Sequence, residues 1–274
     1  HKDNRVGYFP SVSAGWNVHQ EKWFQNPVMS KLKIRASYGE LGANFLNPYN
    51  FDAIAYGPIP YTVGGERYVT GRAAYLKSKD LKWETAKTTD IGIELGFFNN
   101  DLTLSLDYFV KKNVDLLAQI DLNLSSGQIF EINSSREKPY VNTASVKNTG
   151  WEFMMNYRKQ LTKDFHIDAT FNIATLKNKV LSLGENVQPI TSGAMSSYFN
   201  DAASITMPGE AIGSFYGYKI DGFDAEGNFI FADTDKNGVV NANDKVILGS
   251  PIPDFTYGLN INMEYKDFDL TVFF

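Results

Sequence analysis

The stretch "IGIELGFFNNDLTLSLDYFV", residues 91–110, decides the fold class. Ile91, Ile93, Leu95 and Phe97 alternate with Gly92, Glu94 and Gly96, and Asp90 continues the polar set. After Asn99-Asn100 the alternation resumes. Leu102, Leu104, Leu106, Tyr108 and Val110 share one face, and Thr103, Ser105, Asp107 and Lys111 share the other, with Phe109 as the exception. A period of two is the signature of a strand with one apolar face. Asparagine tolerates positive φ, so Asn99-Asn100 reads as a tight hairpin turn.

The same pattern recurs along the chain. Ile167, Ala169, Phe171 and Ile173 oppose His166, Asp168, Thr170 and Asn172. Tyr257, Leu259, Ile261, Met263 and Tyr265 oppose Thr256, Gly258, Asn260, Asn262 and Glu264. Strands are also expected around Trp151–Tyr157, Leu32–Tyr38, Val12–Val18 and Phe268–Phe274, which makes eight. Lys266-Asp267 and the segment 158–165 are further tight connections, whereas 40–89, 112–148 and 176–254 are long ones. A soluble β-sandwich also alternates, but it has no reason to alternate short and long connections. A transmembrane β-barrel has short periplasmic turns and long extracellular loops. Strands of about 9–11 residues suit a tilted crossing of the hydrocarbon. Trp16, Tyr38, Tyr108, Trp151, Tyr157, Tyr257 and Tyr265 collect near strand ends, as an interfacial aromatic girdle requires.

Composition agrees. Aromatics make up 14 % of the 274 residues, with 20 Phe and 15 Tyr. The net charge of −5 leaves no basic surplus for nucleic acid. With no cysteine, disulfides, thiolate metal sites and cysteine nucleophiles are excluded. No run of 18 apolar residues forms a membrane helix. The chain opens on "HKDNRVGYFP" and stops inside "FDLTVFF", so a piece of a longer protein is expected.

"FADTDKNGVVNANDKVILG", residues 231–249, has the spacing of an EF-hand calcium loop without flanking helices. Asp233, Asp235 and Asn237 stand at ligand positions one, three and five. Gly238 supplies the sharp turn at six, Val239 a carbonyl at seven, and Asn241 a direct or water-mediated ligand at nine. Asp244 takes position twelve, where a longer Glu is usual. Oxygen-only ligation suits Ca²⁺, with Mg²⁺ second. A metal-free polar turn uses the same residues.

His1, His19 and His166 are dispersed, and no nucleophile-elbow or phosphate-loop pattern occurs, so no enzyme activity is expected. Glu84 reads as a structural or lumen-facing carboxylate. Tyr49, Phe51, Tyr56, Tyr61 and Tyr68 suit either sugar stacking or loop packing, and no residue is assigned to substrate.

Four blocks carry a family resemblance. They are "GYFPSVSAGWNV" (7–18) with "KLKIRASYGELGAN" (31–44), then "LKWETAKTTDIGIELGFFNNDLTLSLDYFVKKNVDLL" (81–117), then "VKNTGWEFMMNYR" (146–158), and finally "PGEAIGSFYGYKIDGF" (208–223) with "ILGSPIPDFTYGLNINMEYKDFDLTVFF" (247–274). The chain resembles the SusC/RagA family of TonB-dependent outer-membrane transporters over its whole length. The resemblance implies that residues 1–274 are a sector of a large antiparallel, all-β transmembrane barrel of 22 strands. The N-terminal plug, the TonB-contacting segment and the closing strands would lie elsewhere. Residues 208–250 would form an extracellular loop carrying the acidic segment. The implied activity is TonB-powered import of glycans or oligopeptides across the outer membrane of a Gram-negative bacterium, within a bilayer containing lipopolysaccharide. A SusD-like surface lipoprotein would act as lid. The alternative is a secreted, calcium-stabilised β-sandwich that binds carbohydrate.

Overall fold

The computed structural model describes residues 6–44, 55–73, 81–119, 140–184, 187–194 and 202–274. Its strands are β1 (Ser11–Asn17), β2 (Met29–Ala43), β3 (Ala55–Val63), β4 (Glu66–Ala73), β5 (Glu84–Phe97), β6 (Leu102–Gln119), β7 (Tyr140–Thr162), β8 (Phe165–Thr175) and β9 (Lys177–Ser182). They continue as β10 (Ile190–Ala194), β11 (Ala202–Thr206), β12 (Ser214–Tyr218), β13 (Ile220–Phe223), β14 (Phe229–Phe231), β15 (Lys245–Gly249), β16 (Phe255–Tyr265) and β17 (Phe268–Phe273).

Eight of these form one antiparallel path, β1-β2-β5-β6-β7-β8-β16-β17, and β9 continues the line of β8 by pairing with the upper part of β7. The tight turns of this path all lie at one end. In the β5–β6 turn Phe98, Asn99 and Asn100 have φ of 55°, 59° and 67°, so positive φ begins one residue before the asparagine pair. Ser30 braces this turn: the Asn100 amide donates to its Oγ at 3.0 Å. Lys266, in the β16–β17 turn, also has positive φ, at 52°.

Register turns the alternation of single strands into two faces. Trp16, Ile34, Ile93, Leu106, Phe153, Ile173 and Tyr257 are successive cross-strand partners, a row spanning seven strands. The neighbouring row is Leu32, Leu95, Leu104, Met155, Phe171 and Leu259. Arg35, Gly92, Asp107 and Glu152 form a row on the opposite face. The stagger of the turns follows from strand tilt.

No second layer covers the apolar face among the described residues. Trp16, Ile34, Ile91, Trp151 and Tyr257 are 41–54 % exposed. The buried apolar residues are few, and their main cluster, Ala144, Val146, Val180 and Leu183, lies at the end opposite the tight turns. The β-sandwich alternative is therefore excluded, since a sandwich buries its apolar faces against each other.

The strands are longer than the 9–11 residues expected. β2, β5, β6 and β7 have 15, 14, 18 and 23 residues. Their pairing continues past the apolar band, so stretches assigned to long connections, such as 112–119 and 140–148, are strand. The remaining connections also carry strands of their own: the β3–β4 hairpin, the sheet β10-β11-β12-β15 and the β13–β14 hairpin.

Replacement of Leu104 or Phe171 by Arg in the full-length protein is expected to cost about 2–4 kcal/mol near the membrane midplane. Thr170→Arg, on the opposite face, should cost far less. Reversible denaturation from lipid bilayers measures the difference.

Candidate functional site

The polar face carries a connected charge network. Arg35 on β2 is the partner of Gly92 on β5, which is the partner of Asp107 on β6. A Cβ at Gly92 would lie 1.9 Å from Asp107 Oδ1 and 2.7 Å from Arg35 Nε. The missing side chain lets arginine reach across a whole strand. Its Nη2 donates to Asp107 Oδ1 and Oδ2 at 2.6 Å, Nε to Oδ1 at 3.1 Å, and Nη1 to Glu94 Oε1 at 3.1 Å. Ser105 Oγ donates to Asp107 Oδ2 at 2.9 Å, and Lys31 pairs with Glu94 at 2.6 Å. Asp107 is only 6 % exposed. A carboxylate that buried needs such partners. Further along the same face, Arg158 binds Asp168 through Nε at 2.7 Å and Nη2 at 2.6 Å, and Asn156 links Asp168 to Thr170. Phe109, the exception to the alternation, stands opposite Gly150, where an added Cβ would lie 2.8 Å from its ring.

Glu84 has a structural role. Its Oε1 accepts from the Leu117 amide at 2.8 Å, where β6 shifts register against β7. His19 Nδ1 lies 3.1 Å from the Leu32 carbonyl oxygen. Tyr49 and Phe51 lie outside the described residues, as do the side chains of Tyr56 and Tyr61. Tyr68 donates to Glu66 at 3.2 Å.

The acidic loop lies between β14 and β15, at the end opposite the tight turns. Asp233 Oδ1 accepts from the Asn237 amide at 3.1 Å and Oδ2 from the Gly238 amide at 2.7 Å. Asp235 Oδ1 accepts from the Asn237 amide at 3.0 Å. Lys236 and Gly238 take φ of 59° and 87°, which curls the chain around these carboxylates. Asp244 is fully buried at the end of a short 3₁₀ turn, Ala242–Asp244. It accepts from the Thr234 amide at 2.7 Å, the Asp235 amide at 3.2 Å and the Asn241 amide at 2.8 Å. Those donors, Asn241 first, hold its carboxyl below the usual carboxylate range.

The fold thus brings the three acidic members of the expected ligand set together. One carboxylate oxygen from each of Asp233, Asp235 and Asp244 lies within 4.8 Å of the others. The other three are engaged locally. Asn237 Oδ1 accepts from the Val239 amide at 2.8 Å, the Val239 carbonyl accepts from Asn241 Nδ2 at 3.1 Å, and Asn241 Oδ1 caps the 3₁₀ turn through the Asn243 amide at 2.9 Å. Each of these oxygens keeps a second lone pair. The donor set fits a hard cation, with Asn241 the ligand most committed elsewhere.

Sequence reasoning missed the Arg35–Asp107–Glu94 network. Only the presence of charge on the polar parity was visible, because the bridging depends on which glycine falls between which side chains.

One face apolar and uncovered, the other charged, and the tight turns of the eight-stranded path at one end define the wall of an outer-membrane-type β-barrel. The chain belongs to the TonB-dependent receptor family. The family described as "TonB dependent receptor-like, beta-barrel" matches residues 1–274. It is 34 % identical to TonB-dependent receptor P3 of Formosa agariphila, over 100 % of this chain and 28 % of that protein. It is 31 % identical to TonB-dependent receptor SusC of Bacteroides thetaiotaomicron, over 98 % of this chain and 27 % of that protein. The chain therefore spans less than a third of these relatives. In fold it is similar to the RagAB peptide transporter, with a TM-score of 0.75 at 22 % identity, and to the open-open state of the RagAB peptide importer at 0.79. These matches cover 99 % of this chain and 29 % and 28 % of those chains. The family places the sheet in the outer membrane, and in barrels of that membrane tight turns are the periplasmic connections.

Arg35→Ala is expected to destabilise the full-length barrel by about 1.5–3 kcal/mol, because Asp107 keeps its desolvation without its charged partner. Combining it with Asp107→Asn should recover part of that loss. A double-mutant cycle by denaturation measures the coupling.

Proposed function

We propose that this chain is part of the transport barrel of a SusC-like importer that moves glycans or oligopeptides across the outer membrane with energy delivered through TonB. The observation that carries the reading is the unbroken eight-stranded path with a charged inner wall, in a chain matched end to end by the receptor-barrel family and by SusC. A charged, hydrogen-bonding wall suits a lumen through which polar solutes and a polar plug pass. On this reading the long connections are extracellular, and a SusD-like lipoprotein covers them. No reaction chemistry is involved. Cells carrying the full-length protein should take up labelled oligosaccharides or oligopeptides, and a protonophore should abolish that uptake. Uptake unaffected by the protonophore would leave a passive pore.

Within this reading, residues 208–250 form an extracellular excursion braced by one Ca²⁺. Asp233, Asp235 and Asp244 would supply charge. Asn237, the Val239 carbonyl and Asn241, the last through water, would complete an oxygen shell, with Mg²⁺ the weaker candidate. The ion would offset the mutual repulsion of three carboxylates in a segment with little core. Asp235→Ala should increase protease cleavage of residues 231–249 in the full-length protein while leaving the barrel intact. In the unmodified protein calcium should protect this loop against chelator. Equal cleavage in both conditions leaves a metal-free polar turn.

A further inference from the structure

The lipid-facing side ends in a row of lysines on the extracellular side. On β5 the outward residues run Phe97, Leu95, Ile93, Ile91 and Thr89, and the next is Lys87. On β6 they run Leu102, Leu104, Leu106, Tyr108 and Val110, and the next is Lys112. On β7 Tyr157, Met155, Phe153, Trp151 and Thr149 are followed by Lys147. The line of β8 gives Phe165, Ile167, Ala169, Phe171, Ile173 and Thr175, followed by Lys177 and Lys179. On four adjacent lines, then, the first charge beyond the apolar run is a lysine. Lys87, Lys112, Lys147 and Lys179 are also direct cross-strand partners, 87 with 112, 112 with 147 and 147 with 179.

Like charges placed directly opposite destabilise a sheet unless something neutralises them. Glu40 pairs with Lys87 at 3.1 Å at one end of the row. Lys112, Lys147, Lys177 and Lys179 have no ion pair among the described residues. The periplasmic end differs: there Lys159, the charge nearest the β5–β6 turn on this face, is paired with Asp101 at 3.0 Å.

Height completes the case. Lys87 and Lys112 lie ten residues from Phe97 and Leu102, the outward residues next to their own turn. At about 3.3 Å per residue and a tilt of about 40°, ten residues rise about 25 Å, the height of the apolar band. Lys177 and Lys179 lie twelve and fourteen residues from Phe165, about 30 and 35 Å up by the same measure. The row therefore sits where outer-leaflet headgroups begin, and lysyl stems can reach down along the apolar surface. Beside it, the chain folds back on β9 through Val180 N to Glu210 O at 2.8 Å and Gly209 N to Val180 O at 2.9 Å. This leaves a notch of about 400 Å³ whose lining includes Lys147, Lys177 and Lys179, the apolar Leu176 and Ile252, and the carboxylates Glu210 and Asp254.

We propose that Lys112, Lys147, Lys177 and Lys179 form a binding site for the phosphorylated headgroup of an outer-leaflet glycolipid, the lipid A part of lipopolysaccharide. The occupant follows from charge complementarity at that height: a lipid carrying phosphate neutralises the row, and its acyl chains lie on the apolar face directly below. The inference rests on the outer-membrane placement of the sheet. The test uses the full-length protein, purified in detergent and stripped of bound lipid. Retention of the heat-modifiable folded band by each variant shows separately that the barrel reading holds. Titrated bisphosphorylated lipid A should bind, as read by native mass spectrometry. The triple variant Lys112→Gln, Lys147→Gln, Lys179→Gln should weaken binding by about tenfold or more. The corresponding triple Arg variant should retain it, which keeps the test decisive if the Gln variant folds poorly. Dephosphorylated lipid A should bind no better to the unmodified protein than to the Gln variant. Equal lipid A affinity in the unmodified and Gln proteins, loss of binding in a folded Arg variant, or full competition by millimolar inorganic phosphate would overturn the proposal.

Discussion

Hydrocarbon offers no partner to a backbone N–H or C=O, so every strand inside it must be paired laterally. That constraint underlies the rest of this structure. It forces the eight strands into one unbroken ladder, and the ladder fixes which residues stand side by side. Each side chain's face follows from its parity, and a slip of one residue would turn Ile93 and Leu106 inward and Asp107 outward. A hydrophobic row seven strands wide and a charged row beneath it are two readings of one register.

The inner wall then solves a problem created by the outer one. With its apolar residues committed to lipid, the sheet has almost no conventional core among the described residues. Cohesion across strands beyond the ladder comes from polar contacts. Arg35 bridges β2 to β6 over Gly92, and Arg158 ties β7 to β8 through Asp168. The Arg35–Asp107 contact is partly desolvated and multiply hydrogen-bonded, the condition under which ion pairs hold. A wall built this way presents charge and hydrogen-bonding groups to whatever fills or crosses the lumen.

Past the membrane the rules change, because water again satisfies backbone groups. The excursion between β9 and β16 folds by local means: the sheet β10-β11-β12-β15, a hairpin, and a loop whose carboxylates collect its own amides. Tyr218, Phe231, Phe229 and Phe223 form a chain of ring contacts 5.4–6.3 Å apart along the β13–β14 hairpin and give it some apolar stiffness. Asp244 is the exception to this exposed character, buried because it ties the start of the acidic loop to its end.

The sequence alone determined the eight strands of the main path, their faces and the end at which their tight turns lie, because a period of two needs no knowledge of neighbours. The alternation at 91–97 and 102–110 and the turn between them are entirely local. It also placed Asp233, Asp235 and Asp244 as candidates for a common site, since loop ligands lie close along the chain. Only the tertiary structure decided what depends on pairing. Strand ends were misjudged because polar residues such as Lys112 and Asn113 still pair above the membrane, where alternation no longer marks a strand. The tertiary structure likewise decided which hydrogen bonds Asn237, Val239 and Asn241, expected as further ligands, make inside the loop. Arg35 met Asp107, and Lys112 met Lys147, through cross-strand register. Residues 35 and 107 are far apart in sequence, and the hydrogen-bond ladder that aligns them is a property of the whole sheet.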